Sequence, residues 1–287
     1  MLAIDDDDYP ARLHDLPDAP PILYAIGNLA LLDAPCIAIV GTRRATSYGE
    51  RVTTELAAAL ARAGVTIVSG MARGIDGTAH RAALSVGGAT AAVLGTGVDV
   101  AYPVGHVSLH AEIAARGLLL SEEMPGDRAS GGSFPRRNRL IAAIARATLV
   151  VEAPVKSGAL ITADHALGLT RDVAAVPGPV DMPQSAGSNA LLRDGAIVIT
   201  DVADALALAR VSASSPRVAA PTDTTLLALW TALDAPAPNL DALAARCDLP
   251  ARLCLTAVTA LELQGLIECA LTGEIRRRGT LATGFDR

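Results

Sequence analysis

Lysine is almost missing from this 287-residue chain. Of its 24 basic residues only Lys156 is a lysine. This arginine bias can reflect composition alone and assigns no function. Aromatic residues are also scarce, at 2%, so an aromatic beside a basic cluster stands out. The four cysteines form no CxxC pair and no regular framework, which predicts reduced, mostly buried thiols. No apolar run reaches the ~18 residues that a membrane span requires. The N-terminus has no basic segment followed by an apolar stretch, so no signal peptide is expected. A soluble, cytoplasmic protein with no membrane association follows as the expectation. The formal net charge is −6, which argues against a broadly basic nucleic-acid-binding surface. Distribution matters more than the sum, however. Acids gather at Asp5–Asp8, and bases at Arg43–Arg44, Arg136–Arg139 and Arg276–Arg278.

What is present is a rhythm. After an irregular lead-in over residues 1–34, with room for a short helix, come seven short apolar runs. They are CIAIVG, VTIVSG, ATAAVLG, GLLLSE, ATLVVEA, DVAAVPG and AIVIT. Helical stretches separate most of them. In SYGERVTTELAAALARAG, Val52, Leu56, Ala59 and Leu60 share a face, Ser47 and Glu50 suit a capping box, and Gly64 suits a stop. Continuously apolar strands alternating with helices predict an α/β fold: a doubly wound, mostly parallel, Rossmann-like sheet over residues 35–209. Residues 210–222 read as a Ser/Pro/Ala linker. Residues 223–287 read as three helices and a hairpin turning at Thr272-Gly273, a small winged-helix domain. In it Asn239 caps the second helix, and the third runs from Pro250 to Gly265.

In open parallel sheets ligands bind beyond the carboxyl ends of the strands, so the turns there are the places to search. IVGTRRATSYGE is strand, glycine, loop and capped helix, an anion cradle at Gly41 with Arg43 and Arg44 beside it. It is neither GxGxxG nor a Walker A loop, and no nucleotide cofactor is implied. SGMARGIDGTAH places Arg73 between Gly70 and Gly74. Its Asp76 and His80 are four apart on one helix face, an acid–base pair or simply hydrogen-bond partners near a helix start. No third ligand or nucleophile accompanies them, so no catalytic residue and no metal site is expected. EAPVKSGALITADHA starts another helix at Ser157-Gly158, just after Lys156. In SAGSNALLRDGA, Ser188 or Asn189 suits a cap. FPRRNR opens a helix with Phe134, Arg136, Arg137, Asn138 and Arg139. Cations oppose the dipole at that end, but an aromatic ring beside guanidinium groups suits a single strand of nucleic acid.

In this order, IVGTRRATSYG, SGMARGIDGTAHRAAL, TAAVLGTGVDVAYP, LLLSEEMPG, FPRRNRLIAAIA, LVVEAPVKSGALITADHA and DVAAVPG resemble the DNA-processing protein A family (DprA, also called Smf) across roughly residues 20–200. The resemblance implies a non-enzymatic role in natural transformation, or competence. Such a protein binds and protects incoming single-stranded DNA, loads the RecA recombinase for homologous recombination, and works as a homodimer through the Rossmann-like domain. It carries the DNA pocket onto Gly41, Arg43, Phe134, Arg137, Asn138 and Arg139, with Arg136 at a variable position. Some relatives have a lysine shortly before the phenylalanine, where Arg128 is the nearest base here. Two other readings remain open on the residues alone. One is a phosphoribohydrolase-like enzyme using Asp76, His80 or Glu152, although PGGxGTxxE is missing. The other is a winged-helix transcription regulator.

Overall fold

The computed structural model describes residues 1–211, 221, 223–263, 266–270 and 273–277. The expected linker beyond residue 211, the Gly265 stop, Thr272 of the hairpin turn and Arg278 lie outside the described residues, apart from residue 221. The chain divides into two compact units, Met1–Ala213 and Ser214–Arg287.

The first unit is built on one nine-stranded sheet. Its elements in chain order begin with β1 (Leu2–Ala3), β2 (Ile22–Gly27), β3 (Cys36–Val40), α1 (Ser47–Arg62), β4 (Thr66–Ser69), α2 (Ile75–Ser85), β5 (Thr90–Val93) and α3 (Val107–Arg116). They continue with β6 (Leu118–Ser121), α4 (Ser133–Ile144), β7 (Ala147–Val150), α5 (Gly158–Gly168), β8 (Asp172–Ala175), α6 (Ala186–Arg193), β9 (Ile197–Val198) and α7 (Val202–Leu208). The strands run β1-β2-β6-β5-β4-β3-β7-β8-β9 across the sheet. From β6 to β9 every pairing is parallel. All seven apolar runs are strands.

Side chains alternate across β3 and so divide the core. Ala38 and Val40 face the layer formed by α4 and α5, while Ile37 and Ile39 face α1 and α2. Both faces are covered, which is why β3 to β7 are buried along their whole length and read as unbroken apolar runs. Alanines on α1 and α2, including Ala57, Ala61, Ala79 and Ala83, let those helices lie close on the sheet.

Three local expectations are corrected. The lead-in is not irregular. Its β2 pairs antiparallel with β6, Tyr24 opposite Ser121, and β1 pairs with β2. Without it β6 would be a bare edge with unpaired backbone groups. Helix α1 is capped by Thr46 rather than by a Ser47–Glu50 box. Thr46 Oγ1 accepts the Gly49 N–H at 3.2 Å, and Ser47 is exposed. Helix α6 starts at Ala186, before Ser188 and Asn189. Asn189 instead clamps Gly178, accepting from its N–H at 3.0 Å and donating to its carbonyl at 2.9 Å. Gly64 does end α1, with a φ of +82° that favours glycine.

The second unit contains α8 (Thr224–Ala232), α9 (Leu240–Cys247), α10 (Ala251–Leu263) and a hairpin of β10 (Ile267–Cys269) and β11 (Ile275–Arg277). Leu229, Leu243, Cys254, Val258, Leu261 and Ile275 form its core. Asn239 caps α9 as expected, accepting the Ala242 N–H at 2.8 Å.

Candidate nucleic-acid interface

The chain order from β3 to β6 proceeds outward on one side of the sheet, and β7 then returns to the other side of β3. Between β3 and β7 the connections diverge, leaving a crevice at the strand ends. Gly41, at the end of β3, lets the backbone squeeze past there. A Cβ on it would lie 2.5 Å from Ile75 and 2.8 Å from the Glu152 carbonyl. Buried Glu152, just past β7, then fixes the loop. Its carboxylate accepts Thr46 N–H at 2.9 Å and Thr46 Oγ1–H at 2.8 Å, and its carbonyl accepts Thr42 N–H at 2.6 Å. Gly74, with a φ of +72°, completes the packing, because a Cβ there would sit 2.3 Å from the Thr42 carbonyl. These contacts present Arg43 and Arg44 to solvent.

The FPRRNR helix start comes apart into distinct roles. The Phe134 ring is half-buried, with the Arg43 guanidinium 5.2 Å from its centroid. Arg136 is exposed but held by Glu123 at 2.5 Å and Glu122 at 3.3 Å. Arg139 is buried in ion pairs with Glu122 at 2.6 Å and Asp18 at 3.1 Å. Asn138 donates to the Gly158 carbonyl at 3.1 Å, tying α4 to the start of α5. Arg137, only 4% exposed, donates to the Val93 carbonyl. It occupies the space that a side chain on Gly70 would need, 2.2 Å from such a Cβ. Gly70 thus leaves room for Arg137, and it also lines the smaller of two cavities at the strand ends. Burial lowers the Arg137 pKa to about 10, against the pull of the Asp76 charge. Burial likewise raises the Asp76 carboxyl, which Arg137 and the N–H groups of Gly70 and Ala72 draw back down.

Asp76 and His80 do not meet as partners. His80 Nδ1 is 2.7 Å from Thr90 Oγ1, and burial drops its pKa to about 3, so the ring is neutral. No group of three potential metal ligands exists among the described residues.

Two cavities open at these strand ends. One, of about 450 Å³, lies between Gly41, Arg43, Phe134, Lys156 and Gly158, with Arg137 and Asp76 at its wall. The other, of about 270 Å³, is bordered by Arg43, Arg73, Tyr102 and Phe134. At the first, Ser157 caps α5 and accepts the Ala159 N–H at 3.3 Å. A Cβ on Gly158 would meet nothing within 4 Å, so this helix start stands open. Arg43, Arg44, Arg73 and Lys156 are exposed and make no ion pair among the described residues. Such cations, with a helix dipole behind them, suit phosphate. Tyr102, within the sequence TAAVLGTGVDVAYP, is a further aromatic at this site that carries no local motif of its own. Its ring centroid is 5.1 Å from that of Phe134. Its sequence signal is the scarcity of aromatics and a place in the loop that follows β5.

Fold and site together define a Rossmann-like α/β protein with a cationic, aromatic-edged cleft at its topological switch point, joined to a winged-helix unit. The chain belongs to the DNA recombination-mediator protein A family, whose model matches residues 1–210. Residues 213–270 match the DprA winged helix domain. Protein Smf of Synechocystis is 47% identical over 203 residues, 69% of this chain, and the match spans about half (51%) of that relative's length. The structure of DNA processing protein A from Streptococcus pneumoniae superposes with a TM-score of 0.69 at 42% identity, covering 72% of each chain. That of Helicobacter pylori, solved for its single-stranded DNA binding mode, gives 0.63 at 36% identity, covering 67% of this chain and 88% of the other. No helix among the described residues is long and apolar enough to cross a membrane.

Proposed function

We propose that this chain binds single-stranded DNA across the strand-end cleft and acts as a DNA-processing mediator of natural transformation. The observation that carries the reading is Arg43 stacked on Phe134 at the switch point. Arg44, Arg73 and Lys156 stand unpaired around it. A base meets the ring while phosphates meet the guanidinium and ammonium groups. Gly41, Gly70 and Gly74 serve this site through the protein's own packing. Arg136, Arg137 and Arg139 hold its frame, and Asn138, Ser157 and Gly158 set the α5 start. Family membership and the binding mode described for the Helicobacter pylori relative support the same ligand. On this reading the protein is cytoplasmic and non-enzymatic, loads the RecA recombinase on the strand, and works as a homodimer through its Rossmann-like first unit. The separate placements of Asp76 and His80 weigh against a hydrolase.

The test is binding of fluorescent oligo-dT over a range of salt. Affinity falls with a log–log slope of about −0.7 per phosphate neutralised, so about −2 to −3 for the four free cations. Arg43→Ala makes the slope shallower by about 0.7. Phe134→Ala weakens binding by about tenfold, and both variants melt near wild type. No binding, or binding indifferent to salt, overturns the reading.

A further inference from the structure

We infer that Tyr102 is a second base-stacking side chain, and that the cavity it shares with Arg73 takes a nucleobase of the same strand. This rests on the single-stranded DNA reading and extends it to a residue and a cavity that the FPRRNR segment does not include.

Tyr102 is 43% exposed, an unusual position for one of only seven aromatic residues, counted as one Trp, four Tyr and two Phe. Its hydroxyl makes no hydrogen bond among the described residues, whereas Tyr9 and Tyr48 each donate to a backbone carbonyl at 2.8 Å. Those two phenols anchor the fold, and Tyr102 does not. Its ring centroid lies 5.1 Å from that of Phe134, with the planes tilted by 36°. Tyr102 also lines the cavity of about 270 Å³ bordered by Arg43 and Arg73.

The space and its chemistry match a base with its phosphate. A planar base needs an apolar face and room for its edge, and the linked phosphate needs a nearby cation. Arg73 is exposed at the same rim. Phe134 and Arg43 border both cavities, so a strand passing over them has a ring and a cation on either side.

A ring that stacks and a ring that merely props Phe134 predict different results. Oligo-dT of about 20 nucleotides is titrated against wild type, Tyr102→Ala, Tyr102→Phe, Arg43→Ala and Phe134→Ala across the salt range. Tyr102→Ala is expected to weaken binding by about tenfold, within the range of base–aromatic stacking, with an unchanged salt slope and melting temperature. Tyr102→Phe keeps the ring and binds within about twofold of wild type, a margin well inside that same stacking range. If Tyr102→Ala binds like wild type while Arg43→Ala and Phe134→Ala are weakened, the inference falls and the cleft reading stands. If Tyr102→Ala loses affinity only together with a lowered melting temperature, Tyr102 is a prop and the inference also falls. If wild type does not bind, both fall.

Discussion

Arg137 shows how far a residue's charge can stand from its use. It sits among three arginines within four positions of a helix start, where the dipole disfavours cations. Its guanidinium nevertheless turns inward beneath Gly70, toward the Val93 carbonyl and the buried Asp76 charge. Removing it leaves Asp76 buried without its compensating cation. The charged hydrogen bond from Arg137 to the Val93 carbonyl contributes about 1.5–3 kcal/mol. Arg137→Ala is therefore expected to lower the melting temperature by about 3–12 °C for a unit of this size, whereas Arg43→Ala leaves it nearly unchanged. Thermal unfolding of the two variants side by side checks this, and equal melting would remove Arg137 from the frame. The sequence shows that FPRRNR is chemically charged but not which charges are already answered. Their partners Glu122, Glu123 and Asp18 lie 13 to 121 residues away along the chain. Arg43 differs because its loop is short and its neighbours are Gly41 and Thr46, so local pattern was enough to place it at a strand end.

At the scale of elements, the parallel strands and their helices were legible because each is locally encoded. β3 is five buried residues ended by a glycine, and the same punctuation recurs after β4. β2 was not legible as part of the sheet. Its place depends on pairing with β6 over ninety residues later, a relation that no local period records. The α1 cap failed for the same reason. Ser47 and Glu50 have the right spacing, but Glu152 arrives from β7 and takes Thr46 into its own hydrogen bonds. That cross-strand tie suggests what keeps the Arg43 loop in place. Glu152→Ala removes two bonds to a buried carboxylate, and charged hydrogen bonds contribute about 1.5–3 kcal/mol each. The variant is expected to lose about 2–4 kcal/mol, allowing for relaxation. Its amides over residues 42–50 should exchange with deuterium faster than those of β3. Unchanged protection across that loop would show that Glu152 does not hold it.

For the whole molecule, a net charge of −6 is compatible with DNA binding because the acids and the free cations are kept apart. Arg43, Arg44, Arg73 and Lys156 gather at the carboxyl ends of the central strands, while Glu122 and Glu123 are occupied by Arg136 and Arg139. The winged unit has the opposite character where a duplex reader would need base. On α10, Leu253 and Leu255 are each 53% exposed and Arg252 is the only basic residue. A recognition helix that enters the major groove works through polar and cationic side chains, and this one exposes a single cation beside two leucines and an acid, Glu262. Arg276, the wing residue beside β10, is paired with Glu268. The proposed binding of single-stranded DNA therefore rests on the first unit, which has its own sheet and core. A chain of residues 1–213 is expected to bind oligo-dT with an affinity within about threefold of the full chain and with the same salt slope, since every phosphate contact argued above lies within it. The full chain should gain little on duplex DNA of the same length. If oligo-dT binding disappears when residues 214–287 are removed while the shortened chain still melts cooperatively, the winged unit carries the nucleic acid and the strand-end cleft does not.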